Sequence, residues 1–257
     1  MAFLGVETSL TGRKWLGPTL ELERAAEQIV QETDLPRALA QVLARRDVSP
    51  QEAASFLAPQ LRELMPDPRT LKDMETASAR IVAALEARER VAVFADYDVD
   101  GATSATLLLD WFRALGHDAT LYVPDRIDEG YGPNAPAMEM LARDHSLIIC
   151  VDCGTLSHDA LAAATDTDII VLDHHLGGET LPPVLAVVNP NRQDETGDLA
   201  HLCAAAVVFL TLVDAGRVLR EAGRKTPDLI SMLDLVALGT VADVAPLVGV
   251  NRAFVVQ

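Results

Sequence analysis

The apolar run Val91-Ala92-Val93-Phe94-Ala95 leads directly into Asp96-Tyr97-Asp98-Val99-Asp100-Gly101, and this boundary is the clearest indication of the architecture. A short apolar run that ends abruptly in polar residues is typical of a buried strand in a parallel sheet. Similar runs follow at 119–123, 147–151, 168–172 and 185–188. Helix-like segments at 103–115, 136–143 and 158–164 separate the first four runs. The alternation predicts an α/β fold, in which a mainly parallel sheet is sandwiched by helices.

The segments on either side of this alternating region are typical of helices. Residues up to about 88 carry amphipathic patterns, and Ser49-Pro50 has the chemistry of a helix start. We therefore predict a helical N-terminal lead over 1–70 and the α/β domain over 71–257. Further helices are expected at 202–219 and 229–238. The helix after the first strand is expected to begin near Thr103 and to direct its first N–H groups at a phosphate.

The composition describes an acidic chain with enough apolar residues for a core. Its formal charge is −17 over 257 residues, and 49% of the residues are hydrophobic. No apolar run approaches the roughly 18–20 residues that cross a bilayer, which argues against an integral membrane protein. Three cysteines form no disulfide framework, and the N-terminal segment lacks a secretory pattern, so a cytoplasmic location is expected. The acid is concentrated between residues 91 and 180, which hold 16 Asp+Glu against three Arg.

Several of these carboxylates stand where a strand ends. Asp96, Asp152 and Asp173 each follow an apolar run, and the carboxyl ends of parallel strands share one edge of a sheet. Carboxylates in such places are unfavourable unless they are paired or hold a metal. An EF-hand is excluded because its twelfth position, counted from Asp96, is Leu107 instead of Glu. The pattern favours a two-metal site for hydrolysis at phosphorus, with Mn²⁺ or Mg²⁺ as the ions.

Four ordered motifs then resemble a known family. They lie at 95–104, 151–154, Asp173-His174-His175 and 239–247. Together they resemble the DHH phosphoesterase superfamily, and within it the RecJ-type single-stranded-DNA-specific exonucleases, over nearly the whole chain. Two departures are Ala95 in place of a usual glycine and Ala204-Ala205-Ala206 in place of a glycine-rich segment. Neither departure removes a residue that the resemblance assigns to a metal.

The resemblance implies a role for individual residues of the DHH catalytic domain. Asp98 would bind one metal and Asp100 the other, with Asp152 bridging and with His174 and Asp243 completing the second site. The catalytic residues would be His175, Asp152 and Asp96, where His175 contacts the scissile phosphate or orients the metal-bound water. The substrate contacts would be Arg126, Ser104 and His175.

The residues alone also allow structural interpretations that involve neither metal nor substrate. Arg126 could form a surface salt bridge to Asp125 or Asp128. Asp243 could cap the turn after a helix. Asn189 and Asn191 are interpreted as turn formers in preference to ligands.

The function implied by the resemblance is a metal-dependent 5′-to-3′ exonuclease that hydrolyses phosphodiester bonds of single-stranded DNA in repair and recombination. A single-strand-binding protein and a recombination helicase are implied partners, and the chain is expected to stop before a C-terminal substrate-binding subdomain. One alternative is a DHH phosphodiesterase or pyrophosphatase acting on short oligonucleotides, cyclic dinucleotides or pyrophosphate. Another is a non-catalytic DHH scaffold of a replication complex. The residues themselves indicate only metal-assisted phosphoester hydrolysis.

Overall fold

A computed structural model describes residues 2–257, which form two compact units, one ending at Gln60 and one spanning Leu61–Gln257. The first unit is helical and buries a small core that includes Ile29 and Leu43. Its helices are α1 (Leu20–Thr33), α2 (Arg37–Ala44) and α3 (Ala53–Leu57). The domain division at residue 70 stays a prediction.

The second unit is built on a five-stranded parallel sheet with the strand order β2-β1-β3-β4-β5. The strands are β1 (Val91–Ala95), β2 (Thr120–Tyr122), β3 (Leu147–Val151), β4 (Asp168–Leu172) and β5 (Ala186–Val188). The two central strands β1 and β3 are buried throughout, which explains why they are continuous apolar runs in the sequence. The predicted fold class is confirmed, and the two edge strands are shorter than predicted.

Helices cover both faces of this sheet. Val91, Val93 and Ala95 face a large core shared with α5, α6, α9 and α10, whereas Ala92 and Phe94 face a second core shared with α7 and α8. The helices of this unit are α4 (Leu61–Leu64), α5 (Met74–Ala87), α6 (Val99–Ala114), α7 (Ala135–Asp144), α8 (His158–Ala162), α9 (Ala204–Glu221), α10 (Leu233–Ala242) and α11 (Gly249–Val256). Within residues 2–257, no helix combines the length and apolarity that a membrane crossing requires.

Helix α6 corrects one prediction. It begins at Val99, not near Thr103, because the Asp98 side chain caps it by accepting a 2.9 Å hydrogen bond from the Gly101 N–H. The first turn lies so close to the end of β1 that a Cβ on Gly101 would stand 2.3 Å from the Asp96 carbonyl oxygen. Glycine is therefore required there, and the early start places Asp100 in the first turn of the helix.

Candidate metal centre

The carboxyl ends of three neighbouring strands bring three aspartates to one edge of the sheet. Asp96 follows β1, Asp152 follows β3 and Asp173 follows β4, and each is at most 3% exposed. Asp152 adopts a left-handed conformation with φ of 60°, which turns the chain away from the strand direction immediately after β3. The predicted convergence of carboxylates at this edge is present in the structure.

The side chains form two adjoining clusters, each with ligand-type atoms within 4.8 Å of one another. One cluster comprises Asp96, Asp98 and Asp152, and the other comprises Asp100, His174 and Asp243. They meet where His174 Nε2 lies 3.3 Å from Asp152 Oδ1. A third group within the same distance, Asp152, His174 and His175, overlaps both. All five residues that the resemblance assigns to metals are thus neighbours.

The donor set suits divalent cations. Asp96 Oδ1, Asp152 Oδ1 and His174 Nε2 are buried and have no hydrogen-bond partner within residues 2–257. Across the same residues, neither Lys nor Arg forms an ion pair with any carboxylate of the two clusters. Buried acceptors that face one another without donors are unfavourable unless a cation lies among them. Carboxylate oxygens and imidazole nitrogens are ligands that suit Mn²⁺ and Mg²⁺.

Asp100 is held by the start of α9 and the end of α10. It accepts hydrogen bonds of 2.7 Å from the Ala204 N–H and 2.9 Å from the Ala205 N–H. A Cβ on Gly239 would stand only 2.7 Å from Asp100 Oδ1 and 2.8 Å from the Ala205 Cβ. Small residues in both helices therefore let their backbones approach the carboxylate, and Ala204-Ala205 fulfils this role without glycine.

Burial and crowding change the acidity of these groups. Burial, followed by the negative charges of Asp100 and Asp98, raises the pKa of Asp152 to about 10. Burial also raises the pKa of Asp96, and it raises that of Asp100 despite the two backbone hydrogen bonds. Bound divalent cations would act in the opposite direction, since they favour the ionised carboxylates.

Asp173 organises the two histidines that follow it. It accepts hydrogen bonds from the backbone N–H groups of His174 (2.7 Å) and His175 (3.2 Å), and from His175 Nδ1 (2.8 Å). Thr155 donates to its other oxygen from both its N–H and its hydroxyl. Burial opposes ionisation, but the hydrogen bonds from His175 and Thr155 outweigh it and lower the pKa of Asp173. The same contact raises the pKa of His175.

The two asparagines after β5 have a further role besides forming the turn. Asn189 Oδ1 accepts a 2.7 Å hydrogen bond from the Asn191 N–H, which is the predicted turn-forming role. Asn189 Nδ2 also donates to the His175 carbonyl at 2.8 Å, and Asn191 Nδ2 donates to the carbonyls of His174 and Ala200. Both side chains therefore fix the backbone of the histidine pair. Their position directly after a strand was the available signal.

The structure separates the three predicted substrate contacts. Arg126 is exposed, and its guanidinium carbon lies 5.2 Å from the centre of the Tyr97 ring. Over residues 2–257 it makes no ion pair, so the alternative of a salt bridge to Asp125 or Asp128 is wrong. The His175 side chain is 46% exposed beside the clusters. Ser104 is completely buried in α6, with an unpartnered hydroxyl among the described residues.

Asp243 also departs from its simpler interpretation. It lies at the C-terminal end of α10, yet its carboxylate accepts no backbone hydrogen bond within residues 2–257. Its Oδ2 instead lies 3.8 Å from His174 Nδ1. The side chain is therefore directed at the second cluster and does not cap the following turn.

Known proteins are similar to this chain in sequence. Residues 90–240 match the family model described as the DHH family, N-terminal domain. The single-stranded-DNA-specific exonuclease RecJ of Bacillus subtilis is 39% identical over 189 residues, which are 72% of this chain and 23% of that protein. RecJ of Salmonella typhimurium is 38% identical over 229 residues, which are 85% of this chain and 39% of that protein.

Solved structures give the same result. RecJ from Thermus thermophilus in complex with Mn²⁺ matches with a TM-score of 0.71 and 30% identity, over 93% of this chain and 33% of that one. A second structure, exonuclease RecJ bound to manganese, matches with a TM-score of 0.64 and 36% identity, over 75% of this chain and 47% of that one. The chain thus spans less than half the length of these four relatives.

Proposed function

The chain belongs to the DHH family, and on that premise we propose that it hydrolyses phosphodiester bonds of single-stranded DNA from the 5′ end with two Mn²⁺ or Mg²⁺ ions. The observation that carries this proposal is the pair of adjoining Asp/His clusters at the strand ends, whose buried polar atoms have no partner among residues 2–257. The substrate is proposed from the RecJ relatives, and the polarity from the family resemblance.

The two clusters support a proposal for the residues that would hold the ions. Asp98 and Asp96 would hold the first ion, and the second cluster would hold the other ion. Asp152 would contact both ions because it lies beside both clusters. The ions, when bound, would activate a water and stabilise negative charge at phosphorus. Catalytic roles are proposed for Asp152, Asp96 and His175.

The remaining proposed roles concern the substrate. Asp173 accepts a hydrogen bond from Nδ1 of His175, which fixes the ring with its half-exposed edge available to a phosphate. Arg126 would contact a phosphate because its guanidinium is exposed and held above Tyr97. Ser104 is left out of this set because it is completely buried.

The cellular setting rests on the family resemblance alone. We propose a cytoplasmic protein that acts in DNA repair and recombination, with a single-strand-binding protein and a recombination helicase as partners. The acidic charge of −17 does not oppose this proposal, because several of the carboxylates belong to the two clusters and bound cations would offset them.

A comparison of end-labelled strands tests the proposal. Single strands labelled at the 5′ or the 3′ end are incubated with the protein and Mn²⁺, alongside pyrophosphate and a dinucleotide. We expect the 5′ label to appear at once as a mononucleotide and the 3′ label to shorten progressively. The variants Asp152→Asn and Asp152→Ala should be inactive, whereas Asp168→Asn, at the opposite end of the sheet, should behave as wild type.

Other results would favour the alternatives. Cleavage of pyrophosphate or the dinucleotide while long strands stay intact would indicate a small-molecule phosphodiesterase or pyrophosphatase. A protein that binds Mn²⁺ but hydrolyses none of these substrates would indicate a scaffold. Equal activity of wild type and Asp152→Asn would contradict the assignment of the catalytic centre.

A further inference from the structure

Tyr131 makes contacts at the metal centre that the proposed catalytic scheme does not use. It lies in the segment between β2 and α7, and it is 55% exposed. Its hydroxyl lies 3.2 Å from the backbone carbonyl oxygen of Asp152 and 3.3 Å from both ring nitrogens of His175. Its ring packs edge-on against His175, with 5.8 Å between the ring centres.

The chemistry of the carbonyl partner fixes the direction of one of these hydrogen bonds. A backbone carbonyl can only accept, so the Tyr131 hydroxyl donates its hydrogen to Asp152. The phenol oxygen lies equally far, 3.3 Å, from the two ring nitrogens of His175. On the other side, Asp173 accepts from Nδ1 of the same ring at 2.8 Å. His175 is thus held from two directions, although nearly half of its side chain is exposed.

The segment that carries Tyr131 is itself held in place by Glu129. The Glu129 carboxylate accepts hydrogen bonds from the Tyr122 hydroxyl at 2.6 Å, the Asp125 N–H at 2.8 Å and Asn134 Nδ2 at 3.1 Å. These partners precede and follow Tyr131 in the chain and close the segment into a loop. Tyr131 therefore meets His175 from an ordered support.

We propose that Tyr131 is a positioning residue whose hydroxyl fixes the orientation of the His175 ring beside the metal-binding clusters. The hydrogen bond to Asp173 holds only one ring nitrogen, so the exposed ring could still tilt about that contact, and only some tilts would direct it at a phosphate. The kinetic consequence rests on the proposed function, because it assumes that His175 contacts the substrate. The orientation of the ring does not depend on that assumption.

Nuclear magnetic resonance of the His175 ring tests the positioning directly. In Tyr131→Phe, which keeps the aromatic ring, we expect the ring ¹⁵N and ¹H signals of His175 to shift and broaden. The matched control is Tyr122→Phe, which removes a hydroxyl hydrogen bond to Glu129 in the same loop but leaves the contacts of His175 intact. Its His175 signals should move much less than those of Tyr131→Phe, because Glu129 keeps its hydrogen bonds from the Asp125 N–H and from Asn134. Unchanged His175 signals in Tyr131→Phe would overturn the proposal.

A double-mutant cycle tests the consequence for the reaction. Tyr131→Phe should lower the single-turnover cleavage rate roughly tenfold, since misorientation alone can reduce rates by up to about 100-fold. The substrate KM and the Mn²⁺ affinity should change less than about twofold, because the ring remains. In a His175→Ala background the same substitution should have almost no effect.

The outcomes separate the two proposals. An equal rate loss in both backgrounds, or a loss that follows Mn²⁺ affinity, would show that Tyr131 acts through Asp152 or the fold and would overturn its positioning role. A wild-type protein that does not cleave single strands would instead refute the proposed function. In that case the His175 spectra of Tyr131→Phe still decide whether Tyr131 orients the ring.

Discussion

The carboxylates at the amino end of the parallel sheet are paired with arginines, whereas those at its carboxyl end are not. At the amino end, Arg80 donates to Glu89 and to Asp168 at 2.6 Å each, and Arg90 pairs with Asp144 at 3.2 Å. At the carboxyl end, the two clusters contain five carboxylates, and no Lys or Arg within residues 2–257 forms an ion pair with them. Both ends belong to the same parallel sheet, so the strand topology does not explain why only one end pairs its carboxylates with arginines.

The contrast distinguishes carboxylates that stabilise the fold through arginines from carboxylates that are available to a cation. A carboxylate that meets an arginine is neutralised by the chain itself and favours the folded state. Buried carboxylates that repel one another oppose folding unless a cation joins them. The amino end therefore serves stability, and we attribute the unpaired carboxyl end to cation binding.

Addition of Mn²⁺ should produce the largest change in the free energy of unfolding, and this change should depend only on residues at the carboxyl end of the sheet. At a concentration of about 100 times Kd, one ion would raise the free energy of unfolding by about 2.7 kcal/mol, and two ions by about 5 kcal/mol. Thermal unfolding in EDTA and in increasing Mn²⁺ measures this.

Two variants identify the end at which the ions act. Asp152→Asn should remove at least half of the stabilisation by Mn²⁺, because Asp152 adjoins both clusters. Asp168→Asn, the same substitution at the amino end, should respond to Mn²⁺ as wild type does. A similar loss in both variants would refute the division between the two ends.

Substitution of Arg80, the less exposed of the two arginines at the amino end, should have the next largest effect on the free energy of unfolding. Arg80→Met keeps most of the apolar stem but leaves Glu89 and Asp168 without their cation. Arg80 is only 17% exposed, so we expect a loss of about 2 kcal/mol in the free energy of unfolding, measured with urea. Arg90→Met is the matched control. Its pair is exposed on both sides, so the loss should stay below about 0.5 kcal/mol.

The sequence predicted the carboxyl end well because its signal is local. Each central strand is a continuous apolar run, and the residue that follows is an aspartate, so the convergence of Asp96, Asp152 and Asp173 follows from strand polarity alone. The start of α6 is not predictable in this way, because the capping contact of Asp98 lies inside the aspartate motif, where the same side chain is also a candidate metal ligand.

Contacts between distant loops could not be predicted in the same way. Asn189 meets the His175 carbonyl, and Tyr131 meets the His175 ring, across 14 and 44 residues of sequence. Neither contact leaves a periodic pattern, and each depends on how loops fold over the end of the sheet. The stacking of Arg126 on Tyr97 instead of a neighbouring aspartate is of the same kind.

Without metal, an Asp→Asn substitution should change the free energy of unfolding in opposite directions at the two ends of the sheet. At pH 7 in EDTA, Asp152→Asn should raise the free energy of unfolding by about 1 kcal/mol, because the raised pKa of Asp152 means that its carboxyl must take up a proton on folding, whereas asparagine is neutral in both states. Asp168→Asn should lower it by about 0.5 kcal/mol, since one contact of Arg80 is lost. Urea unfolding in EDTA measures both. A clear destabilisation by Asp152→Asn would mean that its carboxylate supports the fold without a cation.

The smallest effect concerns the pH dependence of the amino end. Hydrogen bonds from Arg80 and Ser146 lower the pKa of Glu89 below its usual 4.5. A lowered pKa in the folded state means that the stabilisation is complete above about pH 4.5 and disappears as the pH falls through the folded value. Glu89→Gln should therefore be less stable than wild type by under about 1 kcal/mol at pH 7, and the gap should close in acid.

Urea unfolding in EDTA at pH 7, 5 and 4 measures this gap. Glu86→Gln is the matched control, because Glu86 meets Arg224 only at 3.7 Å and both side chains are at least 40% exposed. Its gap at pH 7 should be smaller than that of Glu89→Gln. A Glu89 gap that widened towards pH 4 would mean that the carboxylate opposes folding at this end as well. The arginines would then not neutralise the amino end, and the contrast between the two ends would reduce to the geometry of the metal site.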